Sequence, residues 1–300
     1  MTESKKPSGS IILSFDFEGF NPQILRYSPL ALGYVVLVNG KLTELVRQKA
    51  YHKGLEKSFD KDTLLRFWKK FQPILDSLTV PEPPKDDPNK YWREMTIKFV
   101  RSVRENMILA KEKNLEFVII HDNSCYDLVM LQKLLSDFND DLIKEFPDYA
   151  AQFQEWPEDI RPDAPFFYPL PFSFTTPNVY GACRVVDASD VLRGFVDGLE
   201  IDLEKKSPNN GVDNALKIMK SVFQIPDDDD LESFKHDHDP VNDSATVAYP
   251  YFCYLQIRNG VFKRKSLTTA GESLPVELTT EQQRVSGLLQ TELKKKRKHE

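Results

Sequence analysis

The sequence predicts an α/β fold, a mixed sheet flanked by helices, on three observations. Near the N-terminus, the apolar segments 11–17, 31–40 and 41–53 follow one another, and Asn39-Gly40 is a strong hairpin signal between the second and third. After residue 90, helical and strand-like patterns alternate, which places parallel strands beside that antiparallel meander. No internal repeat divides the 300 residues, so the chain is long enough for one large domain carrying insertions.

Each element has its own warrant. Ile11 to Phe17 is an apolar run stopped by Gly19 and Asn21-Pro22, hence a buried first strand. "ALGYVVLVNG" and "KLTELVRQKAYHK" give the second and third strands. In "DKDTLLRFWKKFQPILDSL" the apolar residues Leu64, Leu65, Phe67, Trp68, Phe71, Ile74 and Leu75 recur with helical rhythm, and Pro73 predicts a kink. "VPEPPKDDPNK" is a proline-rich surface connection. From Tyr91 to Lys113, Met95, Phe99, Val103 and Met107 fall every four residues and predict a long amphipathic helix. "LEFVII" then reads as a strand ending at His121-Asp122, followed by the helix "YDLVMLQKLLSDF". "CRVVDASDVLRGF" is a strand feeding a helix, and "VDNALKIMKSVF" is another helix. The last core element starts near Val241 and runs through "SATVAYPYFCYLQI", with a kink predicted at Pro250. The domain is thus placed at residues 10–260, with insertions near 54–90 and 138–181. Residues 1–9 read as a disordered start and 261–300 as an extension with a basic tail.

Composition narrows the class. A net charge of −6 argues against a general nucleic-acid coat protein, while leaving room for an enzyme that grips a few phosphates through metal ions. No apolar run approaches the ~20 residues that cross a bilayer, so no membrane partner is expected. Cys125, Cys183 and Cys253 are too few and scattered for a disulfide framework or a CxxC zinc site, which points to a reducing compartment, cytosol or nucleus. The runs "DDDD" (227–230) and "KKKRK" (294–298) read first as solvated segments.

The chemistry-bearing residues begin with "SFDFEG". Side chains two apart on a strand share a face, so Asp16 and Glu18 project together, opposite Phe15 and Phe17. Two adjacent carboxylates repel, and keeping both ionised in a partly buried place is costly unless a cation lies between them. "HDNSCYDLVML" puts Asp127 just past the strand 115–120, at a helix start. "HDHDPVNDSATVA" sets His238 five residues before Asp243, which can reach inward from the opening turn of the last helix.

Asp-x-Glu at 16–18, Asn-x-x-Tyr-Asp at 123–127 and His-x4-Asp at 238–243, in this order, resemble the DEDD superfamily of 3′→5′ exonucleases, in its histidine-bearing branch. The resemblance covers about residues 10–260 and implies a ribonuclease H-like fold. It further implies that Asp16, Glu18, Asp127 and Asp243 hold two Mg²⁺ or Mn²⁺ ions, with His238 as general base, and that a single-stranded 3′ end of DNA or RNA is the partner. The residue types suit that role. Carboxylate oxygens favour hard divalent ions, and paired ions stabilise the attacking and leaving oxygens at phosphorus. An imidazole, which ordinarily titrates near pH ~6.5, can take a proton from water at neutral pH.

Two of these positions have a rival nearby. Asp122 intervenes between His121 and Asn123, where relatives often have His-Asn, and rivals Asp127 as ligand, though the Tyr126-Asp127 match favours Asp127. His236 is a rival base, but the residue five after it is Val241, so spacing selects His238. The tyrosine branch is excluded because Asp239 stands four before the last acid. Asp187 reads as a strand-end turn residue, and Phe15 and Phe17 as core. Phe20 and "FFYPLPFSF" (166–174) are candidates for stacking on a terminal base. A non-catalytic nucleic-acid-binding module on the same fold, and a phosphohydrolase of short oligonucleotides, are the competing functions.

Overall fold

The computed structural model describes residues 7–19, 29–58, 63–147, 183–199 and 211–265. Five strands, β1 (Ser10–Gly19), β2 (Pro29–Val38), β3 (Lys41–Lys49), β4 (Glu116–His121) and β5 (Cys183–Asp187), form one open sheet in the order β3-β2-β1-β4-β5. β1–β2 and β2–β3 pair antiparallel, while β1–β4 and β4–β5 pair parallel. The predicted α/β class with a mixed sheet is therefore present. The hairpin between β2 and β3 has the backbone its residues demand: Asn39 and Gly40 both take positive φ, at 52° and 82°.

The period-2 pattern of β1 sorts two cores. Ile11, Leu13, Phe15 and Phe17 face one side and pack with Met95, Phe99, Val103 and Met107 of α2 (Lys90–Lys113). Their every-fourth spacing makes a single apolar stripe on that helix. Asn114, in the left-handed conformation, ends it before β4 begins. The same face receives α3 (Val129–Asp137) and α4 (Asn139–Glu145) through Leu131, Leu135 and Leu142. Ile12 and the opposite faces of β2 and β4 pack against α5 (Ala188–Asp197), α6 (Gly211–Val222) and α8 (Pro240–Arg258), with a short turn α7 (Asp229–Glu232) between the last two. Asp16 and Glu18 belong to this second face.

Helix α8 lies unusually close to the sheet. A Cβ added at Gly33 of β2 would come within 2.1 Å of the Pro240 carbonyl carbon and 2.3 Å of the Val241 nitrogen. Ser244, fully buried, donates its hydroxyl to the Gly33 carbonyl at 3.0 Å. Since backbone cannot yield as a side-chain tip does, Gly33→Ala is expected to push the start of α8 outward and cost about 1–3 kcal/mol. Denaturant midpoints of the two proteins check this; equal midpoints would show that the contact is unimportant. A second tie comes from β3, where Arg47 makes a two-pronged ion pair with the buried carboxylate of Asp239. Asp239 in turn caps α8 by accepting from the Val241 N–H at 3.1 Å.

Three local expectations change. The third strand stops at Lys49, not at residue 53, because Ala50 and Tyr51 both donate to the Leu30 carbonyl and Tyr51 then bridges to Thr79. The stretch predicted as one kinked helix is a π-type turn, Thr63–Trp68, followed by α1 (Gln72–Ser77). Pro73 opens α1, where its missing N–H is no loss, rather than kinking a longer helix. Pro250 falls within α8, the last core element, as the sequence placed it. At the start of the chain, residues 7–9 do not hang free: Ser8 donates to the Asn114 carbonyl, and the Gly9 carbonyl accepts from Glu116, extending the β1–β4 edge. The rest of the expected insertion beyond residue 147, Phe20, the aromatics of 166–174 and the basic tail lie outside the described residues. Among the described residues no helix is long and apolar enough to cross a membrane.

Candidate metal centre

Three segments meet at the far end of β1. The β1–β4 register runs only from Ser10↔Glu116 to Ser14↔Ile120. Beyond it the neighbouring chain leaves the sheet through a π-type turn, Ser124–Leu128, so the Phe17 N–H faces Asp127 instead of a strand. Asp127 Oδ1 accepts that N–H at 3.1 Å. This bond pins Asp127 to the one residue that separates Asp16 from Glu18. From the other face, the first turn of α8 supplies Asp243, whose Oδ1 accepts from the Asp237 N–H at 3.0 Å.

The carboxylates fall into two groups that share one member. Asp16, Glu18 and Asp243 each offer an oxygen within 4.8 Å of the others, and so do Asp16, Asp122 and Asp127. All four acids singled out from the sequence are therefore brought together. Asp122 and Asp127, rivals by spacing, are both there, because β4 ends at His121 and the following turn keeps both beside Asp16.

The electrostatics are those of a crowded, buried acidic cluster. Asp127 and Asp243 are 1% and 3% exposed and Glu18 7%. Burial, then Asp127 and its other acidic neighbours, pushes the Asp16 carboxyl well above its usual range. Glu18 is raised by burial and by Asp243, and Asp127 by burial and by Asp122, the latter against the lowering effect of the Phe17 hydrogen bond. Asp243 is pushed up to about 6 by burial, with His236 opposing. The Oδ2 atoms of Asp16 and Asp127 are buried, with no hydrogen-bond partner among the described residues. Buried acceptors of this kind need a donor or a cation. An all-oxygen carboxylate set with spare lone pairs suits Mg²⁺ or Mn²⁺.

This has a measurable consequence without any substrate. Each of these carboxyls has a folded pKa above its ordinary value, so protons favour the folded, metal-free chain. That stabilisation is complete below the ordinary carboxyl range near pH ~4 and is lost as pH rises through the folded values, about 6 for Asp243. Mg²⁺ is thus expected to raise the melting temperature strongly at about pH 8 and little at about pH 5, where protons compete for the same oxygens. Thermal scans with Mg²⁺ and with EDTA at both pH values check it; an equal rise at both would contradict the assignment.

Next to the acids stands His238. Its Nδ1 lies 3.6 Å from Glu18 Oε1. The ring is gripped edge-on by Phe67 and Phe71, at centroid distances of 4.6 and 4.4 Å. Trp68, fully buried, holds that aromatic turn over the end of β1 by donating its indole N–H to the Gly19 carbonyl at 3.0 Å. His238 also has φ = 65°, a left-handed conformation rare for residues other than glycine. Strain of this kind persists where surrounding contacts impose it, often at working sites. His236, 44% exposed in its side chain, reaches Asp243 Oδ2 with Nδ1 at 3.1 Å from the outer side.

Sequence reasoning did not find the Phe67–Phe71 grip, since those residues read as a helical core stripe, nor the Arg47–Asp239 tie across 192 positions. Asp187 accepts from the Asp190 N–H and caps α5, as a strand-end residue should. Phe15 and Phe17 are buried core. No protein-family model matches the chain, and no curated protein sequence matches it.

Proposed function

We propose that this chain is a divalent-metal-dependent 3′→5′ exonuclease of ribonuclease H-like fold, acting on a single-stranded end of DNA or RNA. The order β3-β2-β1-β4-β5, with three antiparallel strands followed by parallel ones and helices on both faces, is compatible with that fold. The observation that carries the functional reading is Asp16. It is shared by two carboxylate groups, Glu18 with Asp243 and Asp122 with Asp127, and one of its oxygens is buried and unpartnered.

In this reading Asp16, Glu18 and Asp243 would hold one ion, and Asp16, Asp122 and Asp127 the other. When bound, the pair supplies charge stabilisation to the attacking and leaving oxygens of a phosphodiester. The remaining work falls to the chain itself. The Phe17 N–H fixes Asp127, so that its second oxygen has one direction. The Asp237 N–H does the same for Asp243. His238, beside Glu18 and held by Phe67 and Phe71, accepts the proton of the attacking water.

The test is digestion of 5′-end-labelled single- and double-stranded DNA and RNA with Mg²⁺, Mn²⁺ or EDTA. Stepwise shortening of a single strand from its 3′ end, stopped by EDTA, is the expected result. Binding without shortening in either metal would refute hydrolysis and favour a binding module. Cleavage confined to the shortest oligonucleotides would point to a phosphohydrolase instead.

A further inference from the structure

The carboxylates just described offer only oxygen. A different set of donors lies against their rim. His236, His238 and Asp243 each present a ligand atom within 4.8 Å of the others. The two imidazole rings meet edge to face, with centroids 5.2 Å apart. His236 Nδ1 already contacts Asp243 Oδ2 at 3.1 Å, and Asp243 is held in place by the Asp237 N–H. His238 cannot swing away, since Phe67 and Phe71 pack on its ring. Two nitrogens and one carboxylate oxygen converge where the His236 side chain is 44% exposed, so water can serve as a fourth donor. Such a set favours Zn²⁺ over Mg²⁺, because imidazole nitrogen suits the later first-row ions and Mg²⁺ demands oxygen.

We infer that His236, His238 and Asp243 form a separate binding site for Zn²⁺ or a similar late transition ion, and that filling it blocks the acid-rich centre. The site shares Asp243 with one cation position and takes the imidazole of His238 as a ligand. A zinc ion there therefore removes both a carboxylate and the proton acceptor from hydrolysis. The inhibition rests on the function proposed above; the binding does not. His236 is the residue peculiar to this site, since it belongs to neither carboxylate group.

The experiment uses the full chain and Co²⁺ as a visible stand-in for Zn²⁺. Titration with Co²⁺ is expected to give the strong d–d absorption of a low-coordinate nitrogen-containing site, and Zn²⁺ should bleach it. His236→Ala should lose that band, keep Mg²⁺-supported shortening of a single strand, and need at least about tenfold more Zn²⁺ for half-inhibition. An unchanged cobalt spectrum and affinity in His236→Ala would overturn the proposal, because the ion would then sit on the carboxylates alone. Absence of any such band in the unsubstituted chain would overturn it equally. Should no nuclease activity be found under any condition, the function above fails, and the cobalt band still decides this site by itself.

Discussion

Replacing Asp16 by Asn is expected to reduce metal-dependent hydrolysis by at least about 100-fold, the upper end of what even groups behind the ligands cost. The same change should make the metal-free protein more stable. Asn keeps the shape of the side chain but removes a charge that burial, Asp127, Glu18, Asp243 and Asp122 all disfavour. Relief of one such conflict is worth about 0.5–2 kcal/mol, and each ~1 kcal/mol raises the melting temperature by about 2–4 °C in a domain of 150–250 residues. Mg²⁺ should then lose most of its stabilising effect. Activity lost together with stability would indicate simple misfolding; gain of stability with loss of function is the signature of a charge cluster kept for a cation. Thermal scans with and without EDTA, beside the strand-shortening assay, separate the two.

His238→Ala is expected to lower the rate by about 10²–10⁴-fold, the range for a positioned general base, with little effect on Mg²⁺ binding. The reasoning is geometric. The imidazole stands 3.6 Å from Glu18 but is not among the carboxylates that share Asp16. Its orientation is imposed from outside by Phe67 and Phe71, and by the left-handed backbone at position 238. Phe67→Ala and Phe71→Ala should therefore reproduce part of the rate loss while leaving the imidazole present. Single-turnover rates and Mg²⁺ affinity, measured on the same proteins, check it. A His238→Ala protein with the unsubstituted rate would remove the histidine from the mechanism.

How much of this could be read from residues depends on how local the cause is. The β2–β3 hairpin was legible because Asn39 and Gly40 suit a turn with two positive φ values. The shared orientation of Asp16 and Glu18 was legible because alternation along a strand needs no tertiary knowledge. Helix α2 announced itself by an apolar residue every fourth position, and it is an α-helix over Lys90–Lys113. The aromatic turn was not legible. Phe67, Trp68 and Phe71 have helical spacing, yet Trp68 is drawn to the Gly19 carbonyl and Phe67 to His238, contacts to residues 49 and 171 positions away that no local pattern encodes. The Tyr126-Asp127 match favoured Asp127 over Asp122, whereas the turn that leaves β4 at His121 keeps both beside Asp16. Spacing did select His238 over His236, and the two touch Glu18 and Asp243 respectively. The anchoring of α8 by Gly33 and Arg47 was invisible, because it is a property of two surfaces meeting.

That three distant segments assemble a seat for two divalent ions is best tested by counting them. Electron paramagnetic resonance of free Mn²⁺, titrated into the protein, gives the number bound without substrate or turnover. The expected result is two ions per chain, with uptake collapsing in Asp16→Asn because that side chain serves both positions. Uptake in Asp16→Asn equal to that of the unsubstituted protein would contradict the shared-carboxylate centre.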